Sequence, residues 1–174
     1  STLSDYDPEE VKRNISINTS LIPVEYKGHK INVLDVPGYF DFVGEMIATM
    51  RVSDSALVLG DAVSGVEVGT EKAWSLVKQY NVPSVIMINK MDRENANFKK
   101  TLDQVRDHLG NVVVPFEVPI GEAENFKGVV NIVDMKAREK KGQGYVEVDI
   151  PSGMESEIEP YREMIIETVA QTSE

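Results

Sequence analysis

Three polar side chains follow a short apolar run near the middle of the sequence. Asn89, Lys90 and Asp92 come directly after Val85–Ile88, in the order N-K-x-D. The apolar run predicts a fully buried strand, and open α/β sheets place their ligands at the carboxyl ends of such strands. A carboxylate at Asp92 can accept hydrogen bonds from N1–H and the exocyclic amino group of guanine, whereas adenine would present an acceptor to it. Asn89 can donate to the far edge of the base, and the stem of Lys90 can lie along the ring face. A polar turn after a strand would explain the N-K-x-D motif equally well.

A second polar group follows an earlier predicted strand. Residues Asp35–Gly38 have the pattern D-x-x-G. Asp35 can hold a water on Mg²⁺, and Gly38 lets its backbone N–H approach a terminal phosphate closely. The Pro-Gly pair also explains this segment as a turn that ends a strand. Because the two loops are predicted at the same edge of one parallel sheet, together they favour a nucleotide site more strongly than either does alone.

The elements that position these loops follow from local patterns. Asp7, Pro8 and Glu10 predict a short helix with a capping box. Apolar periodicity predicts further helices at 40–53, 70–80 and 97–109, and strands at 20–26, 30–35, 56–59, 85–88 and 112–118. This alternation predicts an α/β fold, a mostly parallel sheet with helices on both faces.

The pattern changes after Gly121. Strands are predicted at 129–133 and 145–149 as a small antiparallel pair, followed by an acidic amphipathic helix at 155–170. The sequence therefore predicts two domains, residues 1–121 and 122–174.

Composition narrows the class of protein. The 174 residues contain no cysteine, which excludes disulfides, thiolate metal sites and cysteine nucleophiles. No apolar stretch approaches the ~20 residues that a membrane helix needs, so we expect a cytoplasmic protein without a membrane partner. A net charge of −11 disfavours a general basic face for DNA or other nucleic acid, while local docking on RNA stays open.

The chain resembles translational GTPases of the elongation factor G type over nearly its whole length. The similar segments occur in the family's order: RNISINTS, INVLDVPGYFDFVGEM, VSGVEVGTEKAW, INKMDRENANF and PIGEAENFKGVVNIVDMKA. The last of them resembles the start of the insert that distinguishes elongation factor G from simpler GTPases. Tetracycline-resistance ribosomal protection proteins and peptide-release-factor GTPases share the first four segments more loosely.

The resemblance implies GTP or GDP with Mg²⁺ as ligands, and the ribosome, both its RNA and its proteins, as partner. It makes Asn89, Lys90 and Asp92 the guanine readers. It also makes Asp35 to Gly38 the phosphate-sensing switch.

Residues Thr2 to Ser20 resemble the family's mobile first switch. Ser16 stands where the family has a threonine that holds Mg²⁺ through its hydroxyl, and serine keeps that ligand oxygen; Thr19 is the poorer candidate by position. The resemblance thus implies Ser16 and, through a water, Asp35 as the Mg²⁺ ligands.

Tyr39 departs from the family, which has a histidine after the switch glycine to orient the attacking water. A phenol does not become a cation near neutral pH as imidazole does. Tyr39 is therefore a weak candidate for the catalytic position, and it could instead place water through its hydroxyl or pack as an apolar gate.

The sequence holds no G-x-x-x-x-G-K-[ST] motif, the phosphate cradle of P-loop GTPases. The family's later alanine-bearing base-contact loop is missing too. We therefore expect a fragment of a longer GTPase that does not bind GTP measurably by itself. The family's P-loop strand would lie between the strands at 30–35 and 56–59. Its loss predicts either that these two strands close on each other or that the exposed sheet edges pair with another chain.

Three functions fit this sequence. The first is a GTP hydrolase that acts in translocation during elongation. The second is a non-hydrolysing GTP-binding regulatory paralogue in which Tyr39 has replaced the catalytic residue. The third is a ribosomal protection GTPase.

Overall fold

The computed structural model describes residues 3–171, which form two compact units. One unit takes the residues up to Val58 together with Val68–Ile86. The other takes Leu59–Glu67 and the residues from Met87 onward. Both units mix helices with strands, which confirms the α/β class.

The first unit begins with helix α1 (Pro8–Arg13) and a β-hairpin of β1 (Ser20–Tyr26) and β2 (His29–Asp35). The predicted capping box is present, because the Asp7 carboxylate accepts from the Glu9 N–H and the Glu10 carboxylate accepts from the Asp7 N–H. The hairpin turn places Lys27 and Gly28 at φ of 48° and 78°. Two positive φ angles are typical of the type I′ turn, whose twist matches that of the flanking strands.

A parallel strand pair follows, formed by β3 (Ala56–Asp61) and β4 (Ser84–Asn89). Backbone hydrogen bonds of 2.9 Å join Ala56 N to Pro83 O at one end and Ala62 N to Asn89 O at the other. From the first bond to the second, both strands advance by the same number of residues in the same direction, as parallel strands do. Helix α2 (Val43–Met50) follows a 3₁₀ turn and lies between β2 and β3 in the sequence. Helix α3 (Val68–Tyr80) lies between β3 and β4.

The second unit contains helix α4 (Phe98–Leu109), a four-stranded antiparallel sheet and helix α5 (Glu155–Ala170). The sheet is formed by β5 (Glu117–Ile120), β6 (Gly128–Asn131), β7 (Lys136–Lys141) and β8 (Gly144–Val148). Ile158 of α5 is fully buried in one core with Ile132, which follows β6, and with four residues of the sheet: Val118, Ile120, Val130 and Ala137.

Two predictions about the sheets differ from the structure. The predicted strand at 112–118 is shifted to Glu117–Ile120, and it pairs antiparallel with β6 instead of extending the parallel pair. The predicted pair at 129–133 and 145–149 is separated by β7, which sequence analysis missed. The segment KAREKK is too polar to show the apolar alternation by which a strand is recognised.

One further expectation about a strand was wrong. β4 is not fully buried, because Val85 and Met87 face solvent while the alternate positions are partly covered. Of the two outcomes expected from loss of the P-loop strand, closure of β2 on β3 is not seen within residues 3–171, since each pairs only with its hairpin or parallel partner. Pairing of the exposed edges with another chain stays a prediction. Backbone groups at a solvent-exposed strand edge can bond to water, so folding does not require that closure.

No helix within residues 3–171 combines the length and apolar character needed to cross a bilayer. The predicted boundary near Gly121 stays a prediction.

Candidate functional site

The N-K-x-D loop begins where β4 ends. Asn89 is the last residue of the strand, and its side-chain oxygen accepts a 2.8 Å hydrogen bond from the Lys90 N–H. Lys90 has a φ of 62°, in the left-handed region. This conformation costs a non-glycine residue roughly 1 kcal/mol, and such outliers cluster at functional sites. The chain thus makes a sharp turn at the predicted base-contacting lysine.

An ion pair fixes the side chain of Lys90. Its ammonium nitrogen lies 2.7 Å from Oδ2 of Asp61, the last residue of β3. The other carboxylate oxygen, Oδ1, accepts from the N–H groups of Val63 and Ser64 at 2.8 and 3.1 Å. The hydrogen bond from Lys90, supported by the two amides, lowers the pKa of Asp61 to about 2. Asp61 is therefore ionised at neutral pH and holds both Lys90 and the loop that follows β3.

Met91 anchors the middle of the motif. It is buried with Ala62 and Ala96, and its carbonyl oxygen accepts a 2.9 Å hydrogen bond from Ala123 N. Asp92 follows on the exposed side, and among residues 3–171 its carboxylate has no hydrogen bond or ion pair. The loop is thus fixed through Met91 while the predicted guanine acceptor faces solvent.

A small open cavity of about 210 Å³ lies beside this loop. Asn89 and Lys90 line it together with Leu59, Gly60, Asp61 and Glu67. Ligand pockets usually measure some 300–1,000 Å³, so this cavity could hold part of a nucleotide.

The D-x-x-G segment lies in the other unit, at the end of β2. Asp35 is half-buried and Pro37 is fully buried. A methyl group added to Gly38 would meet open space, so the surrounding protein does not demand glycine there. Tyr39 is 56% exposed, and within the described part of the chain its hydroxyl has no hydrogen bond.

The predicted first switch is held by carboxylates that accept from backbone amides. Glu10 is buried and accepts from the N–H groups of Ile17 and Asn18, both at 2.9 Å. Glu45 of α2 accepts from the Thr19 N–H at 2.9 Å. These amide bonds, from Asn18 and Ile17 first and from Thr19 respectively, lower the pKa of Glu10 and of Glu45. Thr2, the first residue of the predicted switch, lies outside the described residues.

The Ser16 hydroxyl donates a 2.8 Å hydrogen bond to the Asp5 carboxylate. The hydroxyl oxygen keeps lone pairs, and an adjacent carboxylate oxygen is the donor type that Mg²⁺ prefers. Over residues 3–171 no three carboxylate, imidazole or thiol side chains gather as a metal cage. Mg²⁺ commonly uses one or two protein oxygens plus phosphate and water, so Ser16 and Asp35 fit its chemistry.

The structure thus brings Asn89, Lys90 and Asp92 together in one loop, while Ser16 and the D-x-x-G segment belong to the other unit. Sequence analysis missed Asp61. Its position, an acid at the carboxyl end of the strand beside β4, is the signal that could have identified it.

The polar loop lies at the carboxyl end of a parallel strand pair, and its lysine has a left-handed backbone conformation and bonds to an aspartate of the neighbouring strand. This arrangement fits the nucleotide-binding edge of an α/β domain. The chain belongs to the Elongation factor Tu GTP binding domain family, which matches residues 1–171. It is therefore a GTP-binding domain of the translational GTPase type. A protein from Thermus thermophilus with a known crystal structure is 29% identical, with a TM-score of 0.93. That match covers 100% of this chain and 26% of the Thermus chain, so the present chain spans about a quarter of the relative's length.

Proposed function

We propose that this chain is part of a longer, cytoplasmic GTPase of the elongation factor G type that binds the ribosome and hydrolyses GTP during translocation. In this proposal residues 1–121 belong to the GTP-binding domain and residues 122–174 to the family's insert. The observation that carries the proposal is the N-K-x-D loop, with Lys90 bonded to Asp61 and the Asp92 carboxylate open to solvent.

The proposed mechanism begins with base selection. Asp92 accepts from N1–H and the amino group of guanine, and Asn89 and Lys90 contact the rest of the base. Asp61 holds the Lys90 side chain in place through the 2.7 Å ion pair. Adenine would leave the Asp92 carboxylate facing an acceptor, which excludes it.

The resemblance to the family also carries the proposed contacts to the phosphates. When bound, Mg²⁺ neutralises charge on the phosphate oxygens. Ser16 would hold Mg²⁺ through its hydroxyl oxygen, and the Asp35 carboxylate would act through a water. Gly38 presents its backbone N–H to the terminal phosphate, since glycine has no side chain that would keep the phosphate at a distance.

Calorimetric titration with GTP and Mg²⁺ tests whether GTP binding requires the longer protein. We expect the longer protein to bind GTP, because it would add a phosphate cradle to the base-reading loop. We expect the 174-residue chain to show no micromolar affinity, since its sequence holds no G-x-x-x-x-G-K-[ST] motif. Micromolar binding by the chain alone would contradict this proposal, and a longer protein that prefers ATP would contradict the assignment of guanine.

A second candidate is a GTP-binding regulator that does not hydrolyse. The exposed Tyr39, whose hydroxyl has no partner among residues 3–171, favours it, because nothing here orients the phenol toward a water. Phosphate release by the longer protein with ribosomes would support the hydrolase, and its absence would support the regulator. Within residues 3–171, β2 and β3 each have one edge without a partner strand. The proposal therefore includes self-association of the isolated chain through these edges.

A further inference from the structure

We propose that the outer face of the β5–β8 sheet docks single-stranded RNA through Lys127, Lys140 and Tyr145. The outer face is the side opposite the buried core. Lys127 lies three residues before the buried Val130, and Lys140 three residues after the buried Ala137. Tyr145 lies three residues before Val148, which packs against the core. Because side chains alternate along a strand, all three point away from the core.

The three side chains form one row, because Lys140 and Tyr145 lie on the neighbouring strands β7 and β8 and Lys127 directly precedes β6. Lys140 N donates a 2.9 Å hydrogen bond to Lys127 O, and Lys140 and Tyr145 are register partners on β7 and β8. Neighbouring strands are ~5 Å apart, so the row extends over roughly 10 Å. Tyr145 is 69% exposed. The row therefore presents two ammonium groups and an aromatic ring side by side.

The two lysines lack the counter-charges that their neighbours have. Lys136 lies 2.8 Å from Glu147, and Arg138 lies 2.6 Å from Asp134. In the described residues neither Lys127 nor Lys140 takes part in an ion pair. Like charges directly opposite each other destabilise a sheet. Lysines often protect edge strands from aggregation. Lys140 lies on the inner strand β7 and Lys127 directly precedes the other inner strand, β6, so that role does not explain the pair.

An RNA strand matches this row better than an acidic protein does. Ammonium groups neutralise backbone phosphates as point charges, and an exposed tyrosine ring stacks on an unpaired base. Carboxylates of a protein partner favour the bidentate fork of arginine, and Arg138 on the same face is already paired with Asp134. With a net charge of −11 on the chain, binding must be local and salt-dependent.

Fluorescence anisotropy with the 174-residue chain tests the docking surface. The probe is a fluorescein-labelled, unstructured RNA of about ten nucleotides, titrated at low and at moderate salt. The Lys127→Gln/Lys140→Gln variant is expected to bind at least roughly tenfold more weakly, with a salt slope shallower by about 1 to 2. The control Lys99→Gln/Lys100→Gln removes the same charge from exposed positions on α4 and should stay within about twofold of wild type.

Substitutions of Tyr145 distinguish base stacking from charge neutralisation. Tyr145→Phe should keep the affinity, and Tyr145→Leu should lower it roughly tenfold, because only an aromatic ring stacks on a base. Thermal unfolding checks that the variants fold. The double lysine variant should melt no lower than wild type, because the substitution removes a repulsion.

Three results would overturn the proposal. They are no RNA binding at low salt, equal weakening by the row variant and the α4 control, and a tighter complex with poly-glutamate that shifts the amide resonances of the same three residues. The last result would assign the surface to an acidic protein. The titrations contain no GTP, so their failure leaves the proposed GTPase function untouched.

Discussion

At the scale of single residues, Asp61 connects the local chemistry of the base-reading loop to the fold. Its carboxylate joins the end of β3 to Lys90 at the end of β4, and it also accepts from two backbone amides. The left-handed backbone at Lys90 is unfavourable for a lysine, so the surrounding contacts must stabilise it. The ion pair to Asp61 is the most direct of these contacts.

The substitution Asp61→Asn should reduce stability at neutral pH but not near pH 2. The folded-state pKa of about 2 lies below the ordinary value of 3.8, so the ionised carboxylate stabilises the fold above about pH 4. This contribution is lost as the pH falls from about 4 to about 2. We expect a difference on the order of 1 kcal/mol at pH 7, because the half-exposed Lys90 is screened by solvent. Urea unfolding of both proteins across this pH range measures it.

Asp149→Asn provides the matched control, because Asp149 is exposed and has no ion pair among residues 3–171. Its effect on the unfolding free energy should be small at both pH values. A wild-type to Asp61→Asn difference that persists unchanged at pH 2 would show that charge on Asp61 does not stabilise the loop.

At the scale of elements, the β5–β8 sheet depends on a glycine that sequence patterns did not single out. Gly128 opens β6, and a methyl group added there would lie 2.0 Å from the Arg138 carbonyl oxygen and 2.8 Å from the Glu139 Cα atom. Both are backbone atoms of the paired strand β7, which cannot move aside without breaking the pairing.

Gly128→Ala should therefore destabilise the chain by about 1–3 kcal/mol, the usual cost of overpacking. Gly144→Ala on β8 is the control, because a methyl group there meets nothing within 4 Å. Thermal and urea unfolding should separate the two variants clearly. Equal stability of both would mean that β6 and β7 are not packed this closely.

The helices and most strands could be predicted from the sequence because their signals are local. The capping box of α1 combines residue types with a fixed spacing, and the Lys27-Gly28 turn lies between two strands predicted from local patterns. Both are present. Strand pairing is not local, so β5 was wrongly predicted to belong to the parallel sheet, whereas it pairs antiparallel with β6. β7 was missed because its stability comes from pairing on both sides and not from apolar alternation.

In the candidate site, too, local patterns could be predicted and contacts between distant residues could not. Asn89, Lys90 and Asp92 are adjacent in sequence, so their type and order sufficed to find them. Asp61 lies far away along the chain, and only the pairing of β3 with β4 brings it to Lys90. The hydrogen bond from Ser16 to Asp5 likewise forms only when the segment between them is folded.

At the scale of the whole molecule, the proposed guanine readers and the proposed phosphate and Mg²⁺ residues belong to different units. Base selection can therefore be tested by a substitution that leaves the phosphate-binding residues unchanged. Asp92 suits this test because its side chain is exposed and makes no ion pair or hydrogen bond within residues 3–171, so its replacement should not affect folding.

The most direct measurement is the nucleotide preference of the longer protein with Asp92→Asn. An asparagine at this position replaces one acceptor oxygen by an N–H donor, which mismatches the guanine amino group and matches the oxygen at the same position of xanthine. Equilibrium titrations should show GTP affinity lowered roughly a hundredfold, with xanthosine triphosphate now bound more tightly than GTP. An unchanged preference for GTP would contradict the assignment of Asn89, Lys90 and Asp92 as the guanine readers.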